Sequence, residues 1–328
     1  MSSKQIDVVA IGDAIVDVIA TAEDEFLDKH DLVKGSMRLL RTDEARQLYA
    51  AMGPAREISG GSAANSMAGI AALGLNAAFI GQVADDQLGT IFAHDMRSLG
   101  VQFDTPPLPS PPPTGSCFIL VTPDAQRTMS TFPGASHELT PKALDADLIR
   151  SASFTFLEGY LWGPERPRAA MLEAARIARS AGRTIAFTLS ESLCIGDRRD
   201  GVLGMIEAGL IDVLFGNEHE VRHLTGCGDL SDCLDRLSSK VTTLVITRGP
   251  EGAIAAEGAK TVETAAAPAE QVIDTTGAGD LFAAGFIAAR CRGRDIETSL
   301  QAGSIAAAEV ISHFGARPEA NLKELVAL

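Results

Sequence analysis

Aromatic residues are scarce in this chain. Phe, Trp and Tyr make up 5% of its 328 residues, with one Trp and two Tyr. Gly and Ala are plentiful instead, a mix that suits helices packed closely on a sheet better than an all-β sandwich. Cysteine is also sparse. Cys117, Cys194, Cys227, Cys233 and Cys291 are odd in number and include no C-x-x-C pair, which excludes that type of zinc or redox motif. They read as reduced thiols, mostly buried. Positive charge is short: 28 Lys and Arg face 43 Asp and Glu, for a formal net charge of −15. Binding to nucleic acid rests on basic side chains neutralising phosphates, so neither nucleic acid nor an anionic membrane is an expected partner. Long apolar runs are missing as well. No segment reaches the ~20 residues that a membrane span needs. The opening MSSKQIDVVAIGDAIVDV is interrupted by Asp7, Asp13 and Asp17 and lacks the apolar stretch of a signal peptide. A cytoplasmic location is the expectation.

What is present is a β-α rhythm. Length alone would suggest about two domains, but one large α/β domain with an appendage fits equally well. The run 6–11 closes at Gly12 as a buried strand; 62–73 is Ala-rich and helical; 77–83 is a strand, and 86–99 has a helical period. A helix is also expected at 42–52, with Thr42 as its cap. From 141 onward, strands at 153–159, 183–189, 211–216 and 242–249 alternate with helices, and long helical patterns close the chain at 278–291, 295–312 and 319–327. Such alternation predicts an α/β fold: a mostly parallel sheet with helices on both faces. Segments 18–40 and 105–133 break the rhythm and could pair as a small separate β-sheet, a lid. The Pro-rich stretch TPPLPSPPP at 105–113 reads as a stiff connection rather than as a ligand for a recognition module.

Two small-residue motifs carry the chemistry. DTTGAGD at 274–280 lies between an extended stretch and an apolar helix. Gly277, Ala278 and Gly279 let the backbone approach a bound group, and the unpaired first amides of the helix, with its dipole, make an anion site. Asp280 at its edge can accept a proton from an attacking hydroxyl, and the helix terminus is expected to keep it ionised. In GGSAANS at 60–66, Gly60 and Gly61 allow close approach and Asn65 offers both a donor and an acceptor. There is no G-x-x-x-x-G-K-[ST], and no third glycine completes a dinucleotide fingerprint, so phosphate binding must be of another kind. The six histidines show no metal-ligand spacing; His219 and His223, four apart on an expected helix, read as surface residues.

In order and separation, the two motifs resemble the signatures of the ribokinase-like (PfkB) kinases of sugars and nucleosides. The resemblance spans residues 1–328 as a single domain with the two lid segments inserted. It implies a three-layer α/β/α core, ATP as donor and Mg²⁺ as helper, Asp280 as catalytic base, and the amides of Gly277, Ala278 and Gly279 as the anion hole. GNEHE at 216–220 is similar to the family's N-x-x-E motif, so Asn217 and Glu220 would organise Mg²⁺ through water. TRGPEG at 247–252 resembles the nucleotide loop, which places Thr247, Gly249 and Gly252 beside ATP. Asp13 and Asp17 match positions that hold substrate hydroxyls, as do Gly60, Gly61 and Asn65, and Arg127 matches an arginine near the transferred phosphate. A monovalent cation, K⁺, near Asp274 and the loop around Gly315 is a further implication.

FLDKHDL, PTGSC, TLSES and DVLFGNEHE look more like adenosine kinase than like ribokinase or fructokinase. The expected reaction is therefore phosphorylation of the 5′-hydroxymethyl of adenosine, by a monomer or homodimer. Tyr160, Leu161 and Trp162 fall where an adenine slot would be. The alternatives are a kinase of free ribose or fructose, and a non-catalytic nucleoside or nucleotide sensor on the same fold.

Overall fold

The computed structural model describes residues 5–124, 126–190 and 198–328. Cys194 and the last two residues of TLSES lie outside them. Among the described residues, fourteen strands form two sheets.

The large sheet contains β1 (Val8–Ile11), β5 (Ala77–Ile80), β6 (Val101–Gln102), β9 (Phe154–Glu158), β10 (Thr184–Thr188), β11 (Val213–Asn217), β12 (Thr243–Thr247), β13 (Ala253–Glu257) and β14 (Lys260–Thr264). Their order is β14-β13-β12-β11-β10-β9-β1-β5-β6. From β12 to β6 every pairing is parallel, while β13 and β14 add an antiparallel edge. Successive residues of a strand point to opposite faces, and the core divides accordingly. Val8, Ala10 and Phe156 join one apolar cluster, and Val9, Ile11 and Leu157 the other. With both faces covered, these strands read as continuous apolar runs rather than alternating ones.

The helices of one face include α3 (Ser62–Ala72), α10 (Ala278–Cys291) and α11 (Ile296–Val310). Their small residues are a condition of the packing. A Cβ on Gly69 would sit 2.7 Å from Leu281 Cδ1 and 2.8 Å from Ala284 Cβ, so α3 and α10 meet almost backbone to backbone. The helix of residues 42–51 begins after Arg41, not at a Thr42 cap; the Arg41 amide donates to Glu44 Oε2 at 2.8 Å.

The second sheet has the order β3-β8-β7-β2-β4, built from β2 (Ile15–Thr21), β3 (Met37–Leu39), β4 (Arg56–Gly60), β7 (Gly115–Val121) and β8 (Arg127–Phe132). The two irregular segments do pair: β2 with β7 and β3 with β8, both parallel. The sheet is larger than they suggested, because β4 adds an edge on β2. The segment 18–40 is also not all extended, since Asp24–Lys29 is helical. The Pro-rich stretch runs from β6 in one sheet to β7 in the other, touching the core at an Ala84–Leu108 bridge.

Candidate active site

In a parallel sheet, loops gather at the carboxyl ends of the strands, and ligands bind there. Here Asp13 follows β1, Glu158 ends β9, Thr188 ends β10, Asn217 ends β11 and Thr247 ends β12. The second sheet faces this edge and presents Ile15, Asp17, Met37, Cys117, Ile119, Met129 and Thr131. Between the two is a cavity of about 520 Å³, whose floor is Ser62, Asn65 and the turn Thr275–Asp280. A cleft of about 600 Å³ at the opposite edge of the sheet contains four arginines. Two of them are already neutralised, Arg179 by Asp212 and Arg290 by Glu257, each at 2.7 Å.

Asp280 lies in the first turn of α10, and the close α3–α10 packing brings two side chains to it. Ser62 Oγ donates to Oδ1 at 2.6 Å, and Asn65 Nδ2 donates to Oδ2 at 2.8 Å. Ser66 Oγ also reaches the Asp280 carbonyl at 3.1 Å. Ser62 and Asn65 are three apart, so they share one helix face. The sequence reading gave Asn65 to the substrate; in this structure its amide holds the carboxylate. Burial pushes the Asp280 carboxyl above its ordinary value, while Ser62, Asn65 and the Arg317 guanidinium pull it back. Those partners, more than the helix terminus, favour its ionised form.

Besides Glu220, three more carboxylates line or back the cavity. Burial raises Asp17 to about 6, opposed by Arg317 and Arg127 and reinforced by Asp280. Burial also raises Asp13, against His137 and Ser136. Asp13 Oδ1 is buried without a hydrogen-bond partner, as expected of an acceptor waiting for a hydroxyl. Glu158 is fully buried and was not singled out from sequence. It accepts from the Asp13 amide at 2.9 Å and the Ala63 amide at 2.6 Å, tying the loop after β1 to the start of α3. Burial, then Asp13, lifts its carboxyl well above the usual range. Gly60 and Gly61 serve this corner structurally. A Cβ on Gly60 would meet Asp17 Oδ1 at 2.5 Å; Gly61, at φ +95°, would meet the Asp13 carbonyl at 2.2 Å.

The turn before α10 is open where an anion would approach. Gly277 has φ +79°, and its Cβ would strike Ala316 Cβ at 2.6 Å, so the chain needs glycine there. A Cβ on Gly279 would meet nothing within 4 Å. The Ala278 amide is turned back to the Thr275 carbonyl at 3.3 Å. That leaves the Gly277 and Gly279 amides as the better anion donors.

Asn217 and Glu220 line the cavity but also form a complete capping box on the helix Glu218–Thr225. The Asn217 amide donates to Glu220 Oε2 at 2.9 Å, and Glu220 N donates to Asn217 Oδ1 at 2.9 Å. Helix capping therefore gives Glu220 a structural role beside the one expected toward Mg²⁺. No cluster of three metal-ligating side chains occurs among the described residues. The donor set fits Mg²⁺ held mainly by water and phosphate oxygens, with one carboxylate nearby. Thr247 lines the cavity and, with Gly249 and Asn217, an adjoining cleft of about 220 Å³. Gly252 lies outside both, at φ +90°, where a Cβ would be 2.0 Å from the Thr264 carbonyl.

Arg127 is not on the cavity wall. Its Nη1 pairs with Asp274 Oδ2 at 2.7 Å and donates to Thr276 Oγ1 at 3.2 Å, and its guanidinium lies 5.5 Å from the Phe314 ring centroid. Asp274 Oδ1 accepts from Thr276 N and Oγ1, and Oδ2 also accepts from Gly315 N at 2.8 Å. With each oxygen taken twice, a K⁺ ion does not fit this carboxylate while Arg127 holds it. Of the expected adenine slot only Tyr160 lines the cavity. Leu161 and Trp162 are core: Trp162 packs edge-on against Phe187 and donates to the Arg198 carbonyl at 3.1 Å.

Residues 5–322 match the pattern of the pfkB family carbohydrate kinases. The chain is 44% identical to the adenosine kinase from Sinorhizobium meliloti, with a TM-score of 0.90 and 98% of each chain covered. It is 41% identical to a probable sugar kinase from Rhizobium etli, again at TM-score 0.90, over 98% of this chain and 97% of that one. A 5-dehydro-2-deoxygluconokinase of Shouchella clausii is 28% identical over 99% of this chain and 96% of its own. No helix among the described residues is long and apolar enough to cross a membrane.

Proposed function

The chain belongs to the pfkB family of carbohydrate kinases, phosphotransferases that act on an alcohol group, and we propose that its acceptor is a ribonucleoside, adenosine, phosphorylated on its 5′-hydroxymethyl. The observation that carries this reading is the apolar wall of the cavity. Ile15, Met37, Cys117, Ile119 and Met129 line it on the second sheet, around Asp17, while Asp280 lies on its floor. A free sugar carries hydroxyls around most of its ring, and burying them against such a wall without partners costs free energy. A nucleobase gains there, with Tyr160 on the rim. Asp13 and Asp17 supply acceptors for the ribose diol. The 44% identity to an adenosine kinase supports the same acceptor.

The transfer follows from the cavity floor. Asp280 takes the proton of the 5′-hydroxyl as its oxygen bonds to the γ-phosphorus of ATP; the bond to the β-phosphate oxygen breaks and ADP leaves. Ser62 and Asn65 hold the carboxylate in line. The Gly277 and Gly279 amides meet the charge on the transferring phosphoryl. Arg127 stays paired with Asp274 and steadies the start of this turn from outside the cavity wall. Asn217 and Glu220 would hold Mg²⁺ through water, where the ion neutralises phosphate charge. The second sheet, as a lid, keeps water from the γ-phosphate. The cavity leaves a second reading open: its carboxylates would also suit a free sugar, in keeping with the sugar-kinase relatives. ADP release measured with adenosine, inosine, ribose and fructose separates the two. Turnover with adenosine and none with the free sugars is expected; turnover with ribose or fructose alone discards the nucleoside. ATP binding without turnover of any acceptor revives the sensor.

A further inference from the structure

Arg317 follows Ala316, which packs on Gly277, and carries a buried cation behind the cavity floor. Its Nη1 donates to the Ala64 carbonyl at 2.7 Å, and its Nη2 donates to the Ser59 carbonyl at 2.8 Å and to Ser59 Oγ at 3.1 Å. Ser59 is the residue before Gly60 at the end of β4, and Ala64 lies between Ser62 and Asn65 in α3. One planar fork thus spans the strand that enters the Gly60–Gly61 corner and the helix that leaves it. All three of these acceptors are neutral, two carbonyls and a hydroxyl. Among the described residues no carboxylate lies within ion-pairing distance of Arg317, and Asp17, Asp280 and Asp95 act on it from further away. A buried guanidinium in that condition is costly and needs compensation from the wider field.

We propose that Arg317 is a positioning residue of the active site: its fork fixes the corner bearing Ser62 and Asn65, and it places a buried positive charge behind Asp280 and Asp17. This rests on the kinase reading. The groups facing Asp280 are neutral Ser62 and Asn65 on α3, Asp17 on β2, Glu158 on β9 and Arg317. Those facing Asp17 are Arg317, Arg127 on β8, Asp280 and the Cys117 thiol on β7. Asp95, on the helix Gln87–Ser98, faces Arg317 and holds the Ser59 amide at 2.9 Å. Removing Arg317 from this set leaves, among the described residues, Arg127, already bound to Asp274, as the cation acting on Asp17.

The test compares Arg317→Met and Arg317→Lys with wild type in two readouts. In the pH profile of turnover, loss of the cation raises the proton affinity of Asp280, so the acid limb of Arg317→Met moves up by about one pH unit and activity partly recovers at alkaline pH. Arg317→Lys keeps the charge but loses the fork; its limb stays near wild type while kcat/KM falls equally at every pH. A uniform loss across pH in both variants would make the residue merely structural and overturn the proposal. The second readout is the pH dependence of Tm and needs no turnover. A carboxyl whose native pKa is raised loses stabilisation as pH climbs through that pKa, so Tm of Arg317→Met should fall more steeply than wild type between pH 5 and 8. Parallel curves would overturn it. If Arg317→Met does not fold, a Lys variant with a displaced acid limb is equally decisive against it. If wild type turns over no acceptor, the kinase reading fails, while the Tm curves still decide the charge role.

Discussion

Replacing Gly279 with Ala separates what the turn before α10 needs in order to fold from what it needs in order to bind. The added Cβ meets nothing within 4 Å, and unlike Gly277 the position carries no positive φ. In the free protein the change removes backbone entropy from the unfolded chain and favours the helix by about 0.5–1 kcal/mol. For a chain of this size that raises Tm by about 1–3 °C. The same methyl occupies open space at a residue that lines the cavity, beside the amides offered to the phosphoryl group. If a phosphoryl oxygen comes within hydrogen-bond distance of those amides, the methyl displaces it. Losing one such donor costs on the order of 10²–10³ in rate. The assay is thermal denaturation beside coupled ADP release at varied ATP. A stable or stabilised variant with kcat/KM for ATP down at least 100-fold is the expected result. Unchanged kcat/KM would mean that nothing binds at this turn, and the anion-hole argument would fail with it. Gly277→Ala cannot serve, because its Cβ strikes Ala316 whatever the turn binds.

Two further outcomes follow from the same geometry. Asp17, raised to about 6 in the folded chain, contributes stability below the unfolded value that is lost as pH rises through 6. Asp17→Asn should therefore be more stable than wild type by about 1–3 kcal/mol at pH 8 and by little at pH 4, with a raised KM for the acceptor; an equal change at both pH values would contradict the assignment. Because Arg127 saturates Asp274, exchanging K⁺ for Na⁺ in the assay should leave kcat unchanged. A strong K⁺ requirement would show that the Arg127–Asp274 pair opens to admit the ion.

How legible this was in the sequence depended on whether the physics was local. DTTGAGD and GGSAANS are short segments in which turn and helix start are neighbours, so the two helix starts could be read in place, while the pairing of Asn65 with Asp280 across 215 positions could not. The parallel core strands were visible as apolar runs because both of their faces are buried. The hairpin β13–β14 escaped: AIAAE is mostly alanine and KTVET is polar and half-exposed. β4 escaped because its charged beginning looks like a loop. Tyr160, Leu161 and Trp162 are consecutive, and only packing decides that the first lines the cavity and the other two fill the core. Glu158 and Arg317 were missed for a further reason. Their partners lie 95 and 253 or more positions away in sequence, and nothing local marks either of them.

The central claim is that Asp280, held by Ser62 and Asn65, is the base in phosphoryl transfer from ATP. Its most direct test is adenosine-dependent ADP release by Asp280→Asn, with ligand binding measured on the same preparation. Asparagine keeps the size and can still meet its two neighbours, but it cannot take the proton. The account predicts retained binding of ATP and adenosine with turnover reduced by about 10²–10⁴. Turnover near that of wild type would contradict it.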